Sequence, residues 1–202
     1  NNWYGLFGTV EYNTEKLSAF GSVSLSSTTM WRQELWNLDA ETGERDAESE
    51  RFNFVGYTLK GGANYRINQQ HNVFANVGYF TRPPFIRAFF QNERGSNATV
   101  AEPTLEKVTA FEVGYGLRLK QFSADVNLYQ TFWNDKLQRL SVTPEAGGDP
   151  ILANIEGVNA SHRGIELELR YNPIDRVQLS LSSSIGDWRW TDNVEATVTD
   201  EV

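Results

Sequence analysis

The sequence predicts an all-β fold, an antiparallel up-and-down transmembrane β-barrel, to which the chain contributes about eight strands. Two observations lead to this prediction. Apolar and polar residues alternate along segments that are long for a soluble protein, and short polar turns alternate with long polar segments. Because a barrel strand shows only every second residue to lipid, a mean hydropathy of -0.48 is compatible with a membrane.

The alternation is clearest in residues 110–133, which read as a hairpin with one uncharged face and one face of mixed charge. The uncharged face consists of Phe111, Val113, Tyr115, Leu117 and Leu119 before the turn and of Phe122, Ala124, Val126 and Leu128 after it. We assign this face to lipid and the opposite one to a wet lumen. The predicted lumenal set includes Lys60, Asn64, Arg66, Arg118, Lys120, Asp125, Asn127, Glu166, Glu168 and Arg170.

Turn and loop lengths predict the topology. Short polar turns recur at 13–16, 68–71, 120–121 and 172–176, at intervals of about 52 to 55 residues. Longer polar segments lie between them, at 37–52, 83–106 and 141–155. Outer-membrane barrels have short periplasmic turns and long external loops, so we place the long segments outside the cell.

The spacing of tyrosines agrees with the thickness of a membrane. Tyr4 and Tyr12 share one face of the first strand, and Tyr57 and Tyr65 share one face of the third. Eight residues span roughly 26 Å of strand, or about 20 Å along the membrane normal at a tilt of about 40°. The apolar band between aromatic girdles is about 25 Å tall, so the pairs fit its two edges.

Composition and motifs argue against several functions. A formal charge of -8 argues against a nucleic-acid partner, and the absence of Cys excludes disulfides. We expect no enzyme activity, catalytic residue, cofactor or metal site, because the two histidines have no partner at ligand spacing. We expect His71 to be solvated in a turn, His162 to line the lumen or rim, and Glu166 and Glu168 to line the lumen.

The ligand-binding candidates lie in or near the predicted outer loops. Pro83 and Pro84 cannot donate ladder hydrogen bonds, so the strand should end near Arg82. The residues that follow are too apolar for a loop that touches only water, and must bury against the rim, a plug or a solute. Guanidinium groups beside flat rings suit an anionic chelate or a sugar face, which gives the candidates Arg82, Arg87, Phe89, Phe90, Trp31 and Trp36.

Four segments in order resemble the TonB-dependent outer-membrane receptors, in the middle of their β-barrel, over about residues 53–190. They are YFTRPPFIRAFFQN (79–92), EPTLEKVTAFEVGYGLRLK (102–120), NLYQTFWNDKL (127–137) and GVNASHRGIELELRYNP (157–173). The resemblance implies a barrel of about 22 strands around a plug, with residues 1–202 as an internal part of that one barrel domain, without the plug domain or the barrel ends.

This resemblance implies energised import across the outer membrane of Gram-negative bacteria. The expected ligand is a large scarce nutrient, most simply an iron-siderophore complex, with cobalamin or a glycan as alternatives. The implied partners are outer-membrane lipid, the remaining strands and plug of the same receptor, and the TonB complex through the plug. Two rivals remain at this point: a complete eight-stranded outer-membrane barrel with a structural or adhesive role, and a soluble β-sandwich binding module.

Overall fold

Eight long strands make up nearly all of the regular structure in the computed structural model, which describes residues 1–33, 35–36, 38, 42–44, 48–90, 97, 99, 104–142 and 151–193. The strands are β1 (Asn2–Asn13), β2 (Leu17–Met30), β3 (Phe52–Arg66), β4 (His71–Arg82), β5 (Glu106–Arg118), β6 (Phe122–Val142), β7 (Ile151–Ile174) and β8 (Val177–Trp190). A short 3₁₀ helix (Ile86–Phe89) follows β4. Within these ranges, no helix has the length and apolarity needed to cross a membrane.

The strands form one antiparallel meander in the order β1-β2-β3-β4-β5-β6-β7-β8. A sandwich needs two facing sheets, so the soluble sandwich alternative is wrong. A closed eight-stranded barrel would pair β8 with β1, and among the described strands no such ladder is present. The described part of the chain is therefore an open run of eight neighbouring wall strands, as predicted for a portion of a larger barrel.

Cross-strand register joins the apolar residues of all eight strands into one continuous face. Because directly opposite residues of an antiparallel pair point to the same side, each row can be followed from strand to strand. One such row runs Ala63, Ala75, Val113, Leu128, Ile165, Ile185. The predicted uncharged face of the β5–β6 hairpin lies on this side, as do both tyrosine pairs, which confirms that these residues share one face of the sheet.

The opposite face carries a network of polar contacts between neighbouring strands. Asn72 donates to Asn64 at 2.7 Å, and Asn76 donates to Glu112 at 3.0 Å. Arg118 pairs with Asp125 at 2.7 Å between a guanidinium nitrogen and a carboxylate oxygen. These groups occupy the predicted lumenal positions, and their mutual hydrogen bonds satisfy charges that lipid would not tolerate.

Two sequence-based expectations about local structure need correction. The predicted loop at 141–155 is shorter, because β6 continues to Val142 and β7 begins at Ile151. The extension passes a bulge between Trp133 and Gln138, where Asp135 has a φ of 55°. His71 is the first residue of β4 rather than a solvated turn residue, and its Nδ1 lies 2.5 Å from the Tyr115 hydroxyl on the apolar side.

Candidate functional site

The candidate residues gather at one end of the sheet. The connections between β2 and β3, β4 and β5, and β6 and β7 leave at this end, and all four short turns lie at the other. The antiparallel meander imposes this segregation, because every second connection must lie at the same edge. We call this edge the outer end of the wall.

Phe89 and Phe90 lie in a buried cluster that ties the segment after β4 to the neighbouring strands. Phe89 has no exposed surface and Phe90 is 2% exposed. The Phe89 ring centroid lies 4.8 Å from that of Phe52 and 5.5 Å from that of Phe54. We call this set the loop cluster; its members are Phe54, Phe89 and Phe90, with Met30, Phe52, Ile86 and Leu105 packed against them.

The loop cluster shows which way the segment after β4 folds. Phe52 and Phe54 share the inner face of β3 with Lys60 and Asn64, so the 3₁₀ helix bends inward over the lumenal side. The two prolines explain why it leaves the sheet, since neither can continue the ladder. The expectation that the apolar residues of this segment must bury against something is met within the chain for Ile86, Phe89 and Phe90. It is wrong for Phe85, which is 76% exposed.

Arg82 is the last residue of β4 and is held by Glu106, its cross-strand partner on β5. The Arg82 Nε lies 2.5 Å from Glu106 Oε2, and the Glu106 side chain is only 2% exposed. The second oxygen of Glu106 accepts a hydrogen bond from the Leu137 backbone N–H at 3.3 Å. A buried carboxylate needs such partners, and through them Glu106 joins β4, β5 and β6.

A second contact joins the β2–β3 connection to the loop cluster. The Arg32 guanidinium lies over the Phe90 ring at 4.0 Å, and its Nε donates to Asn97 Oδ1 at 2.9 Å. The backbone N–H of Arg32 donates to Ser49 Oγ at 2.8 Å. Two connections that are far apart in sequence therefore meet beside Phe90.

The remaining candidates differ in exposure. Trp31 is half-buried and lies under the Arg51 guanidinium at 4.9 Å. Trp36 is 87% exposed and presents its ring to the outside. The side chain of Arg87 lies outside the described residues, although its backbone belongs to the 3₁₀ helix.

The structure also brings together an inner aromatic surface that the sequence analysis did not assemble. It lies on β6, β7 and β8 at the level where β8 ends, well short of the outer ends of β6 and β7. We call it the aromatic wall, and its members are Tyr129, Trp133, His162, Trp188 and Trp190. The Trp188 indole N–H donates to the Tyr129 hydroxyl at 3.1 Å, and the Trp133 and His162 ring centroids are 6.4 Å apart. The position of His162 here agrees with the predicted lumen or rim location. The sequence signal for this surface was the pair of alternating tryptophans in DWRW, residues 187–190. Only the strand pairing shows that these two rings lie beside Tyr129, Trp133 and His162.

Cations and small residues complete the aromatic wall. The Lys136 ammonium lies 5.0 Å from the Trp133 ring centroid and 5.6 Å from that of Trp190, and the Arg82 guanidinium lies 5.2 Å from that of Trp133. Gly164 leaves space for Tyr129, because a Cβ there would lie 2.7 Å from the tyrosine hydroxyl and 2.6 Å from the Ile185 carbonyl oxygen. Only glycine fits that position without displacing the wall.

The chemistry available at this end is recognition rather than bond making. Flat rings offer stacking area, and Lys136 and Arg82 bring positive charge to one side of them. Among the residues that the structure describes, no group of three or more His, Asp or Glu side chains could hold a metal ion. The site suits a solute that is flat in part and negatively charged.

Comparison with known proteins gives a consistent picture. A family model described as "TonB dependent receptor-like, beta-barrel" matches residues 1–201. Among solved structures, "Copper transporter OprC" is similar with a TM-score of 0.68 and 19% identity, over 91% of this chain and 29% of that one. At this identity the likeness concerns the fold alone, and the chain spans less than a third of the length of that transporter. A search of curated proteins found no match.

Proposed function

Because the chain belongs to the TonB-dependent receptor-like β-barrel family of the outer membrane, we propose that it supplies wall and outer loops of a transporter that imports a large, scarce nutrient. The family implies TonB, a plug domain and a transported substrate as partners. We propose the plug and remaining strands of the same receptor, and a ferric siderophore as the ligand.

The observation that carries the ligand proposal is the aromatic wall with the Lys136 ammonium beside it. It lies on the inner face of the sheet, so it borders the path that a solute would follow from the outer end. Stacking on indole rings and attraction to Lys136 together favour an anionic ligand with planar groups, such as an iron chelate with aromatic donors. A neutral sugar could stack on the rings but would gain nothing from the positive charge.

The six sequence candidates divide into two proposed roles. Arg82, Phe89 and Phe90 are held by Glu106, the loop cluster and Arg32, and we propose that they fix the shape of the outer end. Trp31, Trp36 and Arg87 are proposed to contact the ligand as it arrives. Trp36 is the strongest of these three, because most of its ring is accessible.

A copper ligand is the second candidate, suggested by the name of the similar transporter. Copper prefers thiolate, thioether and imidazole donors. This chain has no Cys, one Met and two His, and its Met30 packs against the loop cluster. The segment itself therefore gives more support to an anionic chelate than to a copper ion.

The test is uptake by the intact receptor with Trp188→Ala and Trp190→Ala combined. Both side chains are about half exposed, so their removal should leave the wall folded. We expect ferric-siderophore binding and uptake to fall about tenfold or more, since each stacked ring contributes on the order of 1 kcal/mol. Binding would be measured by quenching of tryptophan fluorescence and uptake with labelled iron.

A matched control is Trp3→Ala, which removes an exposed ring from the inner face of β1, away from the aromatic wall. The control should bind normally and reach the outer membrane at the same level. If the double variant binds ferric siderophores normally but loses copper uptake, copper replaces the siderophore as the proposed ligand. Normal handling of both would remove the aromatic wall from the binding path.

A further inference from the structure

A cluster of charge lies on the lipid-facing side of β7 and β8, where the apolar rows end. Arg163 and Arg189 both pair with Asp187, and the Arg163–Asp187 distance is 3.0 Å between Nη2 and Oδ2. Arg163 is directly opposite Asp187, and Arg189 is opposite Ser161. All of these positions have the same parity as Ile165 and Ile185, so the cluster faces the membrane side and not the lumen.

The cluster lies just above the apolar band. Arg163 is two residues beyond Ile165 toward the outer end, and Arg189 is four residues beyond Ile185. With about 3.3 Å per residue and a strand tilt of about 40°, these steps correspond to roughly 5 Å and 10 Å along the membrane normal. The two guanidinium groups therefore lie at the depth of the headgroups of the outer leaflet.

The arrangement leaves positive charge available at that depth. Two guanidinium groups share one carboxylate, so within the described part of the chain one positive charge of the cluster stays uncompensated, although the formal charge of the chain is -8. Asp187 holds both side chains along the surface, while 60% of the Arg163 side chain and 57% of the Arg189 side chain remain exposed. Guanidinium groups fixed in this way can still donate hydrogen bonds to phosphate oxygens.

We propose that Arg163 and Arg189 form a binding site for a phosphate group of an outer-leaflet glycolipid, with Asp187 as the residue that positions them. Depth, exposure and charge all favour a lipid phosphate over a soluble ligand, because the site opens beside acyl chains. Phe132, which is opposite Ser161 on β6 and 42% exposed, offers apolar surface for the lipid next to the cations. This proposal is independent of the identity of the transported nutrient.

The experiment uses the intact receptor in detergent with Arg163→Gln and Arg189→Gln combined. Binding would be titrated with purified lipopolysaccharide, with the same glycolipid after removal of its phosphates, and with inorganic phosphate. We expect the double variant to bind lipopolysaccharide about tenfold more weakly. The unaltered receptor should bind the dephosphorylated glycolipid equally weakly and should show no saturable binding of inorganic phosphate.

Two further variants keep the test sharp. Arg170→Gln removes an inner-face cation from the same strand and should leave lipopolysaccharide binding unchanged. Asp187→Asn keeps a side-chain oxygen that can accept hydrogen bonds from both guanidinium groups but removes the negative charge, so it should preserve or strengthen binding. Unchanged affinity in the double variant would overturn the proposal. Equal weakening by Asp187→Asn and the double variant would also overturn it, since that result indicates a purely structural ion cluster, and saturable phosphate binding would indicate a soluble ligand.

Discussion

Val126 on β6 and Leu167 on β7 are directly opposite each other, in the middle of the continuous apolar face. Their neighbours along the chain, Asn127 and Glu166, form the adjacent cross-strand pair on the inner face. Moving by one residue along either strand therefore moves the side chain from the proposed lipid face to the proposed lumenal face. Substitutions at these four positions can test which face meets the membrane.

Replacing Val126 or Leu167 with Arg should destabilise the intact receptor by about 2 to 4 kcal/mol, because a guanidinium near the middle of the bilayer loses its hydration. Glu166→Arg is the matched control, since the same side chain would point into the lumen. The fraction of folded receptor would be measured in lipid vesicles across a urea titration. Greater damage from Glu166→Arg than from Leu167→Arg would mean that the faces have been assigned the wrong way round.

Epitope tags test the direction of the meander. A tag after Gly43 lies in the β2–β3 connection, and a tag after Ser96 lies between β4 and β5. Antibody added to intact cells should reach both. Tags after Gln69 and Asp175, in short turns at the opposite end, should be labelled only after the outer membrane is permeabilised. Similar labelling of all four positions on intact cells would contradict the proposed topology.

Phe89→Ala should loosen the segment between β4 and β5. The fully buried ring contacts Phe52 and Phe54, and removing a buried phenylalanine costs about 3 kcal/mol. We expect faster proteolytic cleavage within 83–105 while the barrel wall stays folded. Phe85→Ala is the control, because that ring is 76% exposed and its loss should leave the cleavage rate unchanged. A rate for Phe89→Ala equal to that control would remove the loop cluster as the anchor.

Glu106→Gln should weaken the outer end by about 1 to 3 kcal/mol, because Arg82 loses its ionic partner while the amide replaces a buried carboxylate. Arg82 is 41% exposed, so solvent screening keeps the effect below that of a fully buried pair. The midpoint of heat-induced unfolding on gels would report the change. Asp135→Asn is the control, because it breaks the neighbouring ion pair with Lys107. The Lys107 side chain is 46% exposed and the Asp135 side chain is 37% exposed, so the loss should alter stability by less than about 1 kcal/mol. Equal shifts of the unfolding midpoint in Glu106→Gln and Asp135→Asn would show that the burial of Glu106 does not strengthen its ion pair.

Alternation along the sequence was sufficient to predict the strands and which of their residues share a face. The predicted turn at 120–121 falls between β5 and β6, and the predicted loop at 83–106 falls between Arg82 and Glu106. These features are local, because successive strand residues point to opposite sides and a turn depends on a few adjacent residues. The loop at 141–155 was overestimated because polar residues at a rim continue strands that have left the lipid, where the apolar half of the pattern is no longer required.

Contacts between strands and loops were decided by the tertiary structure. The sequence indicated that Phe89 and Phe90 must be buried, but only the fold brought them onto Met30, Phe52 and Phe54. The aromatic wall depends on the register of β6, β7 and β8, and the outward-facing pair of Arg163 and Asp187 depends on the register of β7 with β8. Register is set when the apolar faces of paired strands are matched across the sheet, together with the geometry of the connecting turn. The sequence of a single strand shows which of its residues share a face, whereas its neighbours across the sheet are determined only when the sheet forms.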